Sequence, residues 1–263
     1  MTRPWLVAGC LVALALPASA AGRGVRWADA DLDAAMARAR DTDRLVLVDC
    51  WAPWCRFCYE MDDNVWSLPE LARVVEQETV PLRLEVDVRR GVGTAFARRY
   101  RVEGLPLVLL LDPRDGRVLR RLEGYQSAEA IVAAIDAARG EQATSRAAEA
   151  SDDPAVLVRE GSRRERAGDP DGAERLWRRA LALDADCAAG AADDAALSLA
   201  TIVARRDGPE AADALLADAL GRCRRPDERD ALWARRVELA GLRGPDELLA
   251  IVLARHEDRP DDD

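Results

Sequence analysis

Eight residues, Trp51-Ala52-Pro53-Trp54-Cys55-Arg56-Phe57-Cys58, constrain this chain more than any other stretch, because they set two cysteines between an apolar run and a helical pattern. The run Leu45-Val46-Leu47-Val48 has the length and composition of a buried strand, and Met61, Val65, Leu68, Leu71 and Val75 follow at helical spacing. A Cys-x-x-Cys pair attaches haem, holds a metal, makes a structural bridge or does redox work, and its surroundings decide which. Haem attachment needs a His directly after the second Cys; Tyr59 stands there, and the one histidine, His256, lies near the C-terminus. A structural zinc site wants a second pair of Cys or His ligands at short spacing, and none is present. Redox chemistry needs a strand that delivers the first Cys to a helix N-terminus, where unpaired N–H groups and the helix dipole stabilise thiolate. That context is the one the sequence supplies.

Around this motif, strand and helix signals alternate, which predicts an α/β domain. Asp29 can cap a helix through Leu32, Met36 and Ala39, and Val80 to Val88 is a second strand candidate. Thr94 to Tyr100 reads as a short helix and Leu107-Val108-Leu109-Leu110-Leu111 as a buried strand. Asp115-Gly116 is a hairpin turn into Val118 to Leu122, so the last strand pair is antiparallel. Ser127 can cap a closing helix through Ile131, Val132 and Ile135 that ends at Gly140.

Residues 141–153 lack apolar periodicity and end in Asp152-Asp153-Pro154, which predicts a linker. Beyond it strand signals vanish, and Ala, Leu and Arg recur at helical spacing over 154–258, before an acidic tail at 259–263. Gly208-Pro209-Glu210 and Gly244-Pro245-Asp246 stand 36 residues apart, a helical-repeat period. Between Leu157 and Leu183 the pattern resembles a tetratricopeptide repeat, with Gly161, Gly168, Ala173, Trp177 and Ala180 at its signature spacings. There the small residues let two antiparallel helices approach and Trp177 fills the space between them.

The chain begins like an export signal over residues 1–20: Arg3, an apolar run from Trp5 to Leu16, then Pro17 and Ala18-Ser19-Ala20 as an A-x-A cleavage site. The run is too short to span a bilayer, which takes ~20 residues. Val7-Ala8-Gly9-Cys10 resembles a lipoprotein box but comes too early in the run to serve as one. Export permits disulfides. Cleavage after Ala20 leaves Cys50, Cys55, Cys58, Cys187 and Cys223, an odd number, so at least one thiol is free. Cys50 reads as a small buried core residue. Cys187 and Cys223 could bridge, but equivalent positions in adjacent repeats are expected to lie too far apart for the roughly 7 Å limit on Cα separation.

A length of 263 residues suggests two compact units, and 49% hydrophobic with 33% charged residues describes globular protein. A net charge of -10 argues against nucleic acid, whose phosphates need a basic face. All basic side chains other than His256 are Arg.

From Leu45 to about Arg139, roughly a third of the chain, the sequence resembles thioredoxin-fold proteins. The resemblance rests on Val48-Asp49-Cys50-Trp51-Ala52-Pro53-Trp54-Cys55 and on Gly104-Leu105-Pro106. It implies a mixed sheet flanked by helices over residues 21–140, with Cys55 as attacking and Cys58 as resolving cysteine. Asp49 would be the buried carboxylate that assists proton movement at the resolving thiol, with Arg83 near the place of its basic partner. Leu105 and Pro106 would form a cis-proline loop that, with Trp54, binds the substrate chain. Tyr59 to Leu71 is closer to the C-terminal periplasmic domain of the transmembrane thiol:disulfide interchange reductase, which tilts the direction toward reduction. Phe57, Leu107 and Cys50 depart from the thioredoxin pattern without removing a reacting group.

The resemblance implies an exported, periplasmic thiol–disulfide oxidoreductase with no cofactor and no metal. Its partners would be client proteins with disulfides, an upstream thiol reductant or membrane electron donor, and a protein recruited by the helical repeats. A helical-repeat adaptor with an accessory redox domain, a dithiol oxidase or isomerase, and a metal chaperone are the alternatives. The intact Cys55, Cys58, Asp49 and Pro106 count against the adaptor, and the lack of a Met or His cluster against the chaperone.

Overall fold

Strand β1 (Leu45–Trp51) is paired on both edges, so its side chains have no route to solvent except past the covering helices. In the computed structural model, which describes residues 24–28 and 31–258, it pairs in parallel with β2 (Thr79–Glu85) and antiparallel with β3 (Leu107–Leu111). Strand β4 (Val118–Glu123) closes the order β2-β1-β3-β4 by pairing antiparallel with β3. The expected leader, with Cys10 and its cleavage site, the cap at Asp29 and the acidic tail lie outside the described residues.

Alternation along β1 feeds two apolar layers. Leu45 and Leu47 join Val108 and Leu110 under Met61, Val65, Leu71 and Val75 and under Ile131 and Ile135 of the closing helix. Val46, Val48 and Cys50 join Leu107, Leu109 and Leu111 on the opposite face, covered by helix α1 (Leu32–Asp41) and helix α4 (Thr94–Tyr100). This is the thioredoxin fold that the resemblance implies.

Several boundaries differ from the sequence reading. Helix α1 is capped by Asp31, whose carboxylate accepts the Ala34 N–H at 2.8 Å. The helix after the cysteines is broken: α2 (Arg56–Met61) runs into a π-helical turn at Asp62–Trp66, and Pro69 starts a new helix, α3 (Pro69–Glu78). Proline at the first turn carries no orphan N–H, so Leu68-Pro69 favours a fresh start over continuation. Strand β2 stops at Glu85, and the chain turns through a 3-10 segment at Val88–Arg90.

The largest difference lies at residues 141–153. Helix α5 (Ala128–Ala150), whose start is capped by Ser127 Oγ accepting from Ala130 N–H, does not stop at Gly140 and leaves only 151–153 outside helix. An interior glycine costs a helix only about 1 kcal/mol, and Ala, Glu and Gln are good helix formers. Gln142 and Ser145 are buried, and Ser145 Oγ donates to Glu160 Oε1 at 2.8 Å, so polar contacts to the next helix hold this stretch that periodicity overlooked.

The chain divides into two compact units, Met1–Arg139 and Gly140–Asp263. In the second, α6 (Pro154–Arg166) packs on α7 (Pro170–Leu183), α8 (Ala192–Asp207) on α9 (Pro209–Arg222), and α10 (Pro226–Arg243) on α11 (Pro245–Asp258). Trp177 is fully buried against Gly161, and Trp233 is a core residue whose indole N–H donates to Asp258. Cys187 and Cys223 are joined in a disulfide with Cα atoms 4.9 Å apart, contrary to the expected separation. Both lie beyond helix ends, Cys187 in the α7–α8 loop and Cys223 at the cap of α9, so loop geometry rather than helix spacing sets their distance. No helix among the described residues is long and apolar enough to cross a membrane.

Two glycines test this packing. A Cβ at Gly161 would sit 2.5 Å from the Trp177 ring, whereas one at Gly140 meets nothing within 4 Å. Gly161→Ala is expected to destabilise the helical unit by about 1–3 kcal/mol. Gly140→Ala should instead stabilise by about 0.5–1 kcal/mol. Urea titration followed by ellipticity reads both signs.

Candidate active site

Cys55 is the N-cap of α2, and its Sγ accepts the Cys58 N–H at 3.2 Å, a contact that would favour negative charge on this sulfur in the reduced pair. The two sulfurs are bonded, with Cα atoms 5.3 Å apart, and the residues are only 3% and 2% exposed. Ala52 packs with them, and Trp51 and Leu105 close the cluster. Around this buried pair the surface is aromatic: Trp54 is 60% exposed, and Phe57 and Tyr59 are also open to solvent. The Trp54 indole N–H donates to Asp87 Oδ2 at 3.1 Å, which fixes the ring beside the motif.

Asp49 follows Leu45 and Leu47 on the helix-covered face of β1, and the parallel register sets it beside Arg83 of β2. The two meet at 3.2 Å through Arg83 Nε and Asp49 Oδ2, but the atoms are not aligned as a hydrogen bond. The reason is the fork. Both terminal nitrogens of Arg83 face Asp62, in the π-helical turn, at 2.8 Å. The guanidinium carbon also lies 4.8 Å from the Trp51 ring centroid and 5.6 Å from that of Trp27, within cation–π range of both. Asp49 is therefore buried with its cation turned toward another acid. Burial pushes its carboxyl up to about 7, with Arg83 opposing and Asp62 adding to the rise.

The Leu105-Pro106 bond is cis, and Pro106 is buried at the start of β3, where Leu107 registers with Cys50. Its carbonyl accepts the Gly124 N–H at 2.9 Å, which anchors the loop to the end of β4. Cys50 is free and fully buried, and burial, with the Asp49 charge adding, pushes its thiol up to about 12, so it stays protonated and inert. Arg56 is paired with Glu60 one turn on.

The structure thus brings together Cys55, Cys58 and Leu105 by direct packing, with Asp49, Pro106 and Trp54 on the adjoining ends of β1, β3 and the motif itself. Sequence reasoning missed Asp87, Trp27 and the fork on Asp62. An Asp at a strand end carries no signal of its own, and Trp27 lies beyond the matched motif. Asp62, seven residues past Cys55, was legible only as a nearby negative charge.

A raised carboxyl binds its proton more tightly folded than unfolded, so its contribution to stability is complete below the unfolded value near 4 and is lost as pH rises through about 7. Asp49→Asn should therefore leave the oxidised protein near its wild-type stability at pH 4 and make it more stable above pH 7, by at most about 4 kcal/mol. Thermal melting against pH for both proteins measures the divergence.

The comparisons agree with this geometry. Residues 32–139 match the family model for the thioredoxin-like domain. The chain is 31% identical over 102 residues to the thiol:disulfide interchange protein DsbD of Cronobacter sakazakii, covering 38% of this chain and 17% of that protein. It is 32% identical over 87 residues to Drosophila melanogaster thioredoxin-1, 33% of this chain and 70% of that one. A solution structure of a Thermus thermophilus thioredoxin aligns at 30% identity with a TM-score of 0.38, over 43% of this chain and 85% of that one. The chain spans less than a fifth of the DsbD protein it matches. With its cysteine pair at the N-terminus of α2 and a cis-proline loop against it, the chain belongs to the thioredoxin-like family of disulfide oxidoreductases.

Proposed function

We propose that this protein is exported to the periplasm and there reduces disulfides in client proteins through Cys55 and Cys58. The observation that carries the reading is the placement of Cys55: capped by a backbone N–H, rimmed by exposed Trp54 and Phe57, and flanked by the cis Leu105-Pro106 loop. The Cys55 thiolate attacks one sulfur of the client disulfide, the other client sulfur leaves as thiolate and takes a proton from water, and a mixed disulfide forms. Cys58 then loses its proton and attacks Cys55 Sγ, which releases the second client thiol and leaves the Cys55–Cys58 bond seen here. Asp49, with a carboxyl near 7, takes that proton. Trp54, Leu105 and Pro106 bind the client backbone, and an external thiol donor or a membrane partner restores the dithiol.

Export is supported by the leader pattern over residues 1–20 and by a second disulfide, Cys187–Cys223, of the kind that persists in oxidising compartments. The direction toward reduction rests on the likeness of Tyr59 to Leu71 to the reductase's periplasmic domain, and the DsbD relatives, whose name describes thiol:disulfide interchange, support exchange chemistry at the pair. The helical pairs over 154–258, with Trp177 against Gly161, support a tetratricopeptide-like module that recruits a protein partner to the redox domain at 21–140.

Purified protein should accelerate dithiol-driven reduction of insulin. Cys55→Ser should abolish the activity and Cys58→Ser should accumulate mixed disulfides, while Asp49→Asn should slow turnover about 10- to 100-fold with most of the loss at and above neutral pH. Activity that survives Cys55→Ser would refute the assignment, as would a pH profile unchanged by Asp49→Asn for the proton role. The opposite direction is read in the same preparation, from the rate at which oxidised protein forms disulfides in a reduced client.

A further inference from the structure

Outside the active site, the two half-cystines of a second disulfide and a carboxylate converge in the helical unit. Cys187, Cys223 and Glu228 are all buried, and their two Sγ atoms and one carboxylate oxygen lie within 4.8 Å of one another. Each is held by a different rigid support. The α7–α8 loop that carries Cys187 is shaped by the buried Asp184, whose carboxylate accepts from Ala189, Ala191 and Ala192 N–H at 2.8, 2.9 and 3.0 Å. Cys223 caps α9, its N–H bound to Ala219 O at 2.9 Å, and Glu228 lies in the first turn of α10.

Glu228 is the group that needs explaining. It is 4% exposed, and neither of its carboxylate oxygens makes a hydrogen bond. Arg225 is its cationic neighbour, with Nη1 3.3 Å from Oε1 and its backbone N–H also acting on the carboxylate, neither contact aligned as a full hydrogen bond, and Asp193 adds a like charge nearby. A buried carboxylate without hydrogen bonds is costly, and such groups are normally paired or bound to a cation.

We propose that Cys187, Cys223 and Glu228 form a redox-gated site for a thiophilic divalent cation of the zinc class: a disulfide when oxidised, a three-ligand metal site when reduced. Reduction by an external thiol or phosphine delivers two electrons and two protons to the sulfurs. Cation binding then displaces both thiol protons, so two thiolates and one carboxylate face the metal. The ligand set follows from the chemistry. Thiolates select zinc-type ions over magnesium or calcium, and a carboxylate completes a mixed sulfur–oxygen set with the fourth position left to water. Zinc–sulfur bonds of about 2.3 Å in a tetrahedron separate two sulfurs by roughly 3.8 Å, so a small opening of the loop pair accommodates the ion. The inference concerns the helical unit alone and stands apart from the reaction at Cys55.

The test uses the full chain carrying Cys55→Ser and Cys58→Ser, so that the redox pair cannot bind metal. Phosphine-reduced protein equilibrated with zinc and desalted should retain a single ion per chain by elemental analysis, and the oxidised protein none. Cobalt in place of zinc should show thiolate-to-metal charge transfer. Adding Glu228→Gln should weaken zinc binding more than about tenfold, and Cys187→Ser or Cys223→Ser should abolish the charge-transfer band, with ellipticity confirming that each variant folds. Reduced protein that retains no zinc overturns the proposal. So does zinc bound with equal affinity in the Cys187→Ser and Glu228→Gln variants, which would place the ion elsewhere.

Discussion

A carboxyl group sits in the middle strand of a sheet that is paired on both sides and roofed by helices, and much of the site's chemistry follows from what the fold offers it. Asp49 cannot reach water, because β2 and β3 flank it and its face is the one packed under Met61 and Leu71. The parallel register supplies Arg83, but the guanidinium presents only its Nε edge. Arginine has a planar fork that matches one carboxylate at a time in the bidentate mode, and here the fork is spent on Asp62. Trp27 and Trp51 also lie against the guanidinium, their ring centroids 5.6 and 4.8 Å from its central carbon. A lysine could swing its single ammonium toward either acid. An arginine whose two terminal nitrogens are engaged on Asp62 leaves only its Nε edge to Asp49, and burial then pushes that carboxyl up to about 7.

The same property of arginine recurs in the second unit, as expected of a chain without lysine. Arg164 is buried between α5, α6 and α7, where it pairs with Glu149, Glu160 and Asp169 and donates to Ser145. Arg236 pairs with Asp213 while lying 4.8 Å over the Trp233 ring. Burial of Arg164 is tolerable because several acceptors surround its fork, and that of Arg236 because Asp213 meets it with both carboxylate oxygens. The continuation of α5 past Gly140 is one product of this network, since Ser145 and Glu149 are its acceptors there.

The redox pair, its strand-to-helix setting and the antiparallel hairpin were legible in the sequence because each depends on local pattern: apolar runs for β1 and β3, Asp115-Gly116 for the hairpin, and a motif whose residues are contiguous; the mixed sheet and the cis-proline loop were implied only by the resemblance to thioredoxin-fold proteins. What escaped depends on tertiary partners. Residues 141–150 carry no apolar stripe, so their helix is visible only through polar contacts to α6. Cys187 and Cys223 looked like equivalent helical positions, but both lie in loops, where chain direction rather than repeat spacing decides the distance. Trp27 and Asp87 act on Arg83 and Trp54 from segments remote in the chain, and no periodicity reports such a contact.

Charge around the cysteines shows why sequence could not order the opposing effects on Cys55. Arg56 would favour its thiolate and Glu60, Asp62 and Asp63 would oppose it, if each acted freely. The structure cancels most of that contest: Arg56 pairs with Glu60, and Asp62 is bound by Arg83. Of the influences left, the backbone N–H of Cys58 donates to Cys55 Sγ and favours negative charge there at every pH. Asp49, whose carboxyl burial pushes up to about 7, adds a negative charge to the site only as pH rises through that range. On the proposed mechanism this one acid, whose cation is engaged on Asp62, weighs on the exchange more than the paired charges that crowd the motif.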